Sequence, residues 1–424
     1  MMNFDYRTLP SRTVFGSGKW KELPGYLSQY SRVMIIASSR MQPLTEYLIN
    51  EMGTGRVSVF SRIIQHVPQD LVDEASELAE GFRPDVLVAI GGGSAIGLAK
   101  AIVITRAKKQ FDDDPPLAGN PSYESQSPDL SPITSKSSDP QSPGLKSTEP
   151  LSIIALPTTF SGSEQTDIWG ISSPEGKDTG RSDLVLPELV IYDPDLFQVL
   201  PSGLAVTSAM NAMAHLVEAV YAPNGNPITK GQALQGIRAL KTGLQALAHL
   251  EPVPGEVQSG HIPAEDYFEI PVGTAEQLLF GAFLAGKCLR EVSMSLHHKT
   301  AHVLGGSFGL DHASVHTVLL PHVLRYQWPH LPGEIRRDFE EALGPDPAAE
   351  LRSLTKNAGG PVDLKTIGFG RENAIREKSI HPEIEKTAET ILSKPYDNPA
   401  PLEKDRLVQM LNNAWNGSLP ADSF

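Results

Sequence analysis

Apolar positions along the chain follow two patterns, and the change between them falls near Leu200. In the first half, short unbroken apolar runs recur in RVMIIASS, RVSVFSRI, DVLVAIGGGS, LSIIALPTT and LVIYDPDL. Runs of this length, each followed by a turn or a helix start, predict buried strands. Between them, TEYLINEM, DLVDEASELAEGF and AIGLAKAIVITRA place apolar residues at helical spacing. Strand and helix in alternation predict a parallel, Rossmann-like sheet with helices on both faces.

Beyond Leu200 the strand signals stop, and GLAVTSAMNAMAHLVEAVYA, KGQALQGIRALKTGLQALAHL and the stretches up to DRLVQMLNNAWNG read as helices. The expectation is therefore an α/β domain over 1–197 and an all-α domain over 198–424, with a cleft between them as the default ligand site. One stretch fits neither domain. From about 108 to 150 the chain is crowded with Pro, Ser and Asp and nearly lacks large apolar residues. Such a segment cannot bury enough surface to offset its ordering entropy, and it reads as a disordered insertion.

Composition narrows the class. The 424 residues are 40% apolar and 20% charged, as in a globular protein large enough for two domains. A formal charge of −14 argues against nucleic acid or an anionic membrane as partner. The lone cysteine, Cys288, excludes an intrachain disulfide and lies in the apolar LLFGAFLAGKCLREV, where it reads as a packed thiol. No apolar run reaches the roughly 18 residues of a membrane span. The expected setting is the cytoplasm.

Candidate chemistry begins at DVLVAIGGGSAIGLAKAI, a strand, a glycine turn and a helix start. Gly91, Gly92 and Gly93 let the backbone approach a bound group, Ser94 is placed to cap the helix, and the helix N-terminus favours a phosphate. The pattern departs from the common GxGxxG fingerprint. At the next strand end, ALPTTFSGSEQTD supplies Thr158, Thr159, Ser161 and Ser163. Ligands of open parallel sheets lie beyond the carboxyl ends of the strands, so these loops suit a dinucleotide. An acidic residue after an early strand would repel a 2′-phosphate. RVMIIASSR offers Ser38, Ser39 and Arg40 instead, which admits NADPH as well as NADH and leans towards the former.

Histidines carry the second constellation. TSAMNAMAHLVEA sets Asn211 and His215 four apart on one helix face, and HHKTAH repeats the spacing with His298 and His302. His312 follows a glycine-rich turn in GLDHASVH. His297 and His316 are assigned to packing or surface.

Together GGGSAIGLAKAI, PTTFSGSEQTDIWGI, KDTGRSDLVLPELVIYDPDL, TSAMNAMAHLVEAVYA, HHKTAHVLGGSFGLDHASVHTVLLPHVLRY and PYDNPAPL resemble the iron-type alcohol dehydrogenase superfamily, and within it the maleylacetate reductase branch. The resemblance implies the dehydroquinate synthase-like architecture of a nucleotide-binding α/β domain followed by a helical one. Metal-dependent members hold a divalent ion on one Asp and three His, which fall here at Asn211, His215, His298 and His312. An amide oxygen is a weaker ligand than a carboxylate, so Asn211 removes the anionic donor. The branch resembled has Asn there and works without metal. The expectation is no metal; any that bound would sit on His215, His298 and His312.

The implied activity is NAD(P)H-dependent reduction of maleylacetate to 3-oxoadipate. His302 would be the proton donor, and His215, His298 and His312 would bind substrate oxygens. Lys299 and Arg181 are candidates for the substrate carboxylates, alongside a reading as solvated surface charges. The resemblance also implies a homodimer, with the segment DYRTLPSRTVFGSG pairing across it. Two alternatives stay open: a metal-dependent alcohol dehydrogenase of the same superfamily, and a relative performing a non-redox cyclisation, dehydration or isomerisation.

Overall fold

The apolar runs of the first half become the strands of one sheet. The computed structural model describes residues 4, 6, 8, 10–113, 151–173, 176–197, 199–251, 267–370, 381–394 and 396–420. The chain divides into two units, one of Tyr6–Thr158 and Ser163–Asp193, the other of Met1–Asp5, Thr159–Gly162 and Pro194–Phe424.

In the first unit the chain forms β1 (Arg12–Phe15), α1 (Leu23–Leu27), β2 (Val33–Ala37), α2 (Gln42–Met52), β3 (Val57–Phe60) and α3 (Gln69–Phe82). It continues through β4 (Val86–Gly91), α4 (Gly93–Asp113), β5 (Ser152–Pro157), β6 (Ile168–Ser173), β7 (Gly176–Arg181) and β8 (Leu189–Tyr192). The six-stranded sheet has the order β1-β8-β5-β4-β2-β3, and every neighbouring pair is parallel. All five residues of β2 are buried, as are Val86–Ile90 of β4. That burial is why these strands read as unbroken apolar runs.

The chain leaves β2 towards β3 on one side and β4 towards β5 on the other. The loops after β2 and β4 therefore flank the point where strand order reverses, the usual ligand crevice of an open α/β sheet.

Three features differ from the sequence pattern. Arg12–Phe15, which the apolar runs do not mark as a strand, pairs with β8 of its own chain at the edge of the sheet. α4 runs to Asp113, into the stretch expected as an insertion; the remainder of that stretch, 114–150, lies outside the described residues. β6 and β7 form an antiparallel hairpin that the apolar pattern does not mark. Most of β7 is exposed, so it lacks the apolar alternation that marks a half-buried strand.

The second unit is helical: α5 (Ser202–Tyr221), α6 (Pro227–Leu247), α7 (Val272–Glu291), α8 (Leu296–Phe308), α9 (His312–Gln327), α10 (Gly333–Leu343), α11 (Pro347–Asn357), α12 (His381–Leu392) and α13 (Lys404–Asn416). Two short strands also occur in it, β9 (Val199–Pro201) and β10 (Tyr267–Glu269), paired antiparallel. α5 is buried on every side from Ala205 to Tyr221 and forms the axis of the unit. Cys288 is buried on α7, its Sγ lying 3.7 Å from the Thr229 carbonyl, and burial pushes its thiol pKa up, consistent with a packed thiol. Among the described residues no helix is long and apolar enough to cross a membrane.

Gly162 belongs to this helical unit and has φ +76°; a Cβ on it would lie 2.8 Å from both the Ala282 carbonyl oxygen and the Gly286 nitrogen of α7. Both obstacles are backbone and cannot swing aside. Gly162→Ala is expected to lower stability by about 3 kcal/mol, read from the urea unfolding midpoint.

Candidate functional site

In the α/β unit, the glycine turn sits between β4 and α4. Gly91 has φ +154°, and a Cβ there would lie 2.9 Å from the Ala95 Cβ, so the turn closes only over glycine. α4 starts at Gly93, which puts Ser94 inside its first turn. The Gly92 carbonyl accepts from the amides of Ala95 (3.1 Å) and Ile96 (3.3 Å), and the amides ahead of these have no acceptor within the helix. This positive helix end, free of side chains at Gly92 and Gly93, fits the pyrophosphate of a dinucleotide.

The Thr158 amide donates to the Gly91 carbonyl at 3.0 Å, tying the β5 end to this turn. Ser38 ends β2 and is half-buried; Ser39 and Arg40 beside it are exposed. Thr159 and Ser161 fall in the short segment that belongs to the helical unit. Arg181 ends β7, is half exposed, and lies 3.6 Å from the Asp167 carboxylate.

Sequence reasoning missed Lys100, the one charge in AIGLAKAIVI. It is 1% exposed, and its Nζ donates to the carbonyls of Ser163 (2.8 Å), Thr166 (2.6 Å) and Ile168 (3.1 Å) and meets the Thr166 hydroxyl at 3.0 Å. Burial pushes its pKa down to about 7, with Glu164 and Asp167 opposing. The helix that opens at the phosphate turn thus braces the segment following the hydroxyl loop. A lone charge in the apolar first half of the helix was the available signal.

The helical unit gathers the histidines. Asn211 and His215 share a buried face of α5; His298 and His302 share a face of α8, and His312 and His316 one of α9. Gly309, in the left-handed region with φ 63°, ends α8, and the Asp311 carboxylate caps α9 by accepting from the Ser314 amide at 2.9 Å. This tight connection sets the two histidine pairs against each other. Ring centroids are 5.0 Å apart for His215–His298, 4.7 Å for His298–His316, 4.3 Å for His312–His316, 5.9 Å for His302–His312 and 6.3 Å for His298–His302. His297 and His316 are fully buried and share a 2.9 Å hydrogen bond between Nε2 and Nδ1. His302 is exposed and His312 and Lys299 half-buried.

Burial, reinforced by the surrounding imidazoles, holds the pKa of His215 and His316 well below the ordinary value. Burial takes His297 down to about 3 against the pull of Glu218. These three rings are neutral near pH 7.

Glu218 is the second residue that sequence reasoning missed. It lies one turn beyond His215 on α5 and is 1% exposed. Its carboxylate accepts from the amides of Ser295 (3.3 Å) and His297 (2.9 Å), from the Ser295 hydroxyl (2.8 Å) and from His298 Nδ1 (2.5 Å). It therefore caps α8 from another helix and fixes the His298 ring, leaving Nε2 to face outward from that bond. Burial raises the carboxyl pKa, but His298, His297 and Ser295 overcome it and hold it at about 2. Among the described residues, the buried atoms without a hydrogen-bond partner include Asn211 Oδ1, His215 Nδ1, His297 Nδ1, His298 Nε2 and His316 Nε2. Among the described residues, no three His, Cys, Asp or Glu side chains are disposed to hold a metal ion.

A folded-state pKa below the ordinary 4.5 means that Glu218 contributes stability above that value, and the contribution is lost as pH falls towards 2. Glu218→Gln keeps the shape and removes the anion. It is expected to cost about 3 kcal/mol at pH 7 and to flatten the decline between pH 4.5 and 2, measured by urea unfolding at a series of pH values.

Known proteins resemble the chain over its whole length. Residues 10–194 match the iron-containing alcohol dehydrogenase family, and residues 271–415 match the C-terminal part of the Fe-containing alcohol dehydrogenase family. Maleylacetate reductases of Pseudomonas sp. (strain P51) and Delftia acidovorans are each 34% identical over 422 residues, 99% of either chain. The crystal structure of maleylacetate reductase from Agrobacterium tumefaciens superposes with a TM-score of 0.77 at 30% identity, covering 99% of this chain and 100% of that one.

Proposed function

Because the chain belongs to the iron-containing alcohol dehydrogenase family and is an NAD(P)H-dependent oxidoreductase, we propose that it reduces maleylacetate to 3-oxoadipate without a metal. The full-length likeness to maleylacetate reductases supports the substrate. The observation that carries the metal-free reading is the fate of the one carboxylate among the imidazoles. Glu218 is consumed by the start of α8 and by His298 Nδ1, and Asn211 presents only an amide oxygen. The remaining donors are neutral, a poor set for a hard divalent ion. Without a Lewis acid, hydrogen-bond donors must stabilise the charge that develops on the ketone oxygen.

Bound NAD(P)H supplies the hydride, which enters at the alkene carbon β to the ketone. Gly91, Gly92, Gly93 and the start of α4 would hold the pyrophosphate, with Thr158, Thr159 and Ser161 along the nicotinamide portion. Ser38 at the β2 end leaves room for a 2′-phosphate and Arg40 can pair with one, so NADPH is the favoured cofactor and NADH is accepted. His215, His298 and His312 orient the substrate oxygens. The carboxylates fall to Lys299 and Arg181. His302, exposed and able to exchange protons with solvent, delivers the proton to the α carbon.

Enzyme dialysed against chelator is expected to oxidise NADPH, and NADH more weakly, when maleylacetate is added, followed at 340 nm; loss of turnover that returns with a divalent ion would sink the metal-free reading. His302→Ala is expected to lower kcat by about 100-fold or more while leaving NADPH affinity intact. Asn211→Asp restores an anionic donor beside His215, and calorimetry with zinc is expected to show tighter binding than in wild type.

A further inference from the structure

The motif PYDNPAPL lies between α12 and α13, and the site described above does not use it. Asn398 anchors it. Its Oδ1 accepts from the Leu296 amide (3.4 Å) and from Gln327 of α9, while its Nδ2 donates to the Gln327 Oε1 (3.1 Å) and the Ala400 carbonyl (2.7 Å). The Ala400 amide donates to the same Gln327 oxygen at 3.0 Å. Three successive amides at the head of α8 are thereby held from two directions: Ser295 and His297 by Glu218, Leu296 by Asn398. The loop is fastened to the helix end that carries His298.

Tyr396 stands two residues before Asn398. Its ring packs against the core formed by α8, α9, α12 and α13, and its hydroxyl is buried with no hydrogen-bond partner among the described residues. The comparable hydroxyl of Tyr326 does have one, the Pro401 carbonyl at 2.8 Å. A buried phenol left unpaired destabilises the fold relative to phenylalanine at the same place, so its retention calls for another explanation. Burial pushes its pKa up, and the Glu218 carboxylate and then Tyr326 add to the rise. The group stays a neutral O–H donor throughout the working range, and it shares Glu218 as an electrostatic neighbour with His298.

We propose that the Tyr396 hydroxyl is a further catalytic residue, donating a hydrogen bond to the ketone oxygen of the bound enone; this rests on the reductase reading above. The hydride pair forms the new C–H bond at the β carbon. The alkene pair moves to join the α carbon to the carbonyl carbon, and the carbonyl pair moves onto oxygen. Tyr396 stabilises that oxyanion and keeps its own proton. His302 then protonates the α carbon, which restores the ketone.

Tyr396→Phe removes one oxygen atom and keeps the ring. The expected result is a fall in kcat of about 100-fold, with NADPH affinity by fluorescence titration unchanged and an unfolding midpoint equal to or above that of wild type. A purely structural tyrosine would give the opposite pattern, lower stability with kcat kept. Placing 3-fluorotyrosine at 396, which retains the hydroxyl, is expected to keep turnover. A Tyr396→Phe enzyme that matches wild type on maleylacetate overturns the role of Tyr396 alone. Wild-type enzyme that binds NADPH but leaves maleylacetate unreduced overturns the substrate reading and this role with it.

Discussion

A single buried carboxylate organises the helical unit. An ionised side chain taken out of water is costly unless its charge and lone pairs are met. Glu218 meets that condition with two backbone amides, a hydroxyl and an imidazole, all from the first residues of α8. The same bonds that make the charge tolerable fix where α8 starts relative to α5 and which nitrogen of His298 is engaged. The turn at Gly309 and the Asp311 cap then determine where α9 delivers His312 and His316. Ring positions across three helices thus follow from one acid and one tight connection.

The α/β unit uses a buried charge of the opposite sign in a similar way. Among the described residues Lys100 has no carboxylate in direct contact; carbonyl oxygens from the chain just past the hydroxyl loop accept its hydrogen bonds. Glu164, buried nearby, is held at 2.5 Å by the Tyr192 hydroxyl at the end of β8. The phosphate turn, the loop after β5 and the end of β8 are linked through polar groups shielded from solvent. Low dielectric strengthens such bonds and makes each partner hard to replace.

Much of this was legible in the chain. The parallel sheet was readable because its strands are buried on both faces and stand out as continuous apolar runs. The histidine pairs were readable because helical spacing puts residues four apart on one face. The hairpin of β6 and β7 was not, since an exposed strand carries no apolar signature. Glu218 and Lys100 escaped for a different reason. Each is an isolated charge in an apolar stretch of helix, and periodicity shows that such a residue is buried without naming its partners, which lie 77 positions away for the Glu218–Ser295 contact and 63 for Lys100–Ser163. Tyr396 is the extreme case, since its hydroxyl has no partner among the described residues. Family resemblance reached the histidines and Asn211 but gave no account of the residues that hold them.

Residues 159–162 belong with the helices, although the chain on either side belongs with the sheet. No single cut along the backbone yields two complete modules: a fragment ending at Asp193 carries away four residues that belong with the helices, and the remainder lacks them. Exchange of the helical half between homologous chains therefore requires a double crossover that transplants this tetrapeptide too. Recombination is thereby constrained within the hydroxyl loop itself, because Thr159 and Ser161 travel with the helices and Thr158 with the sheet.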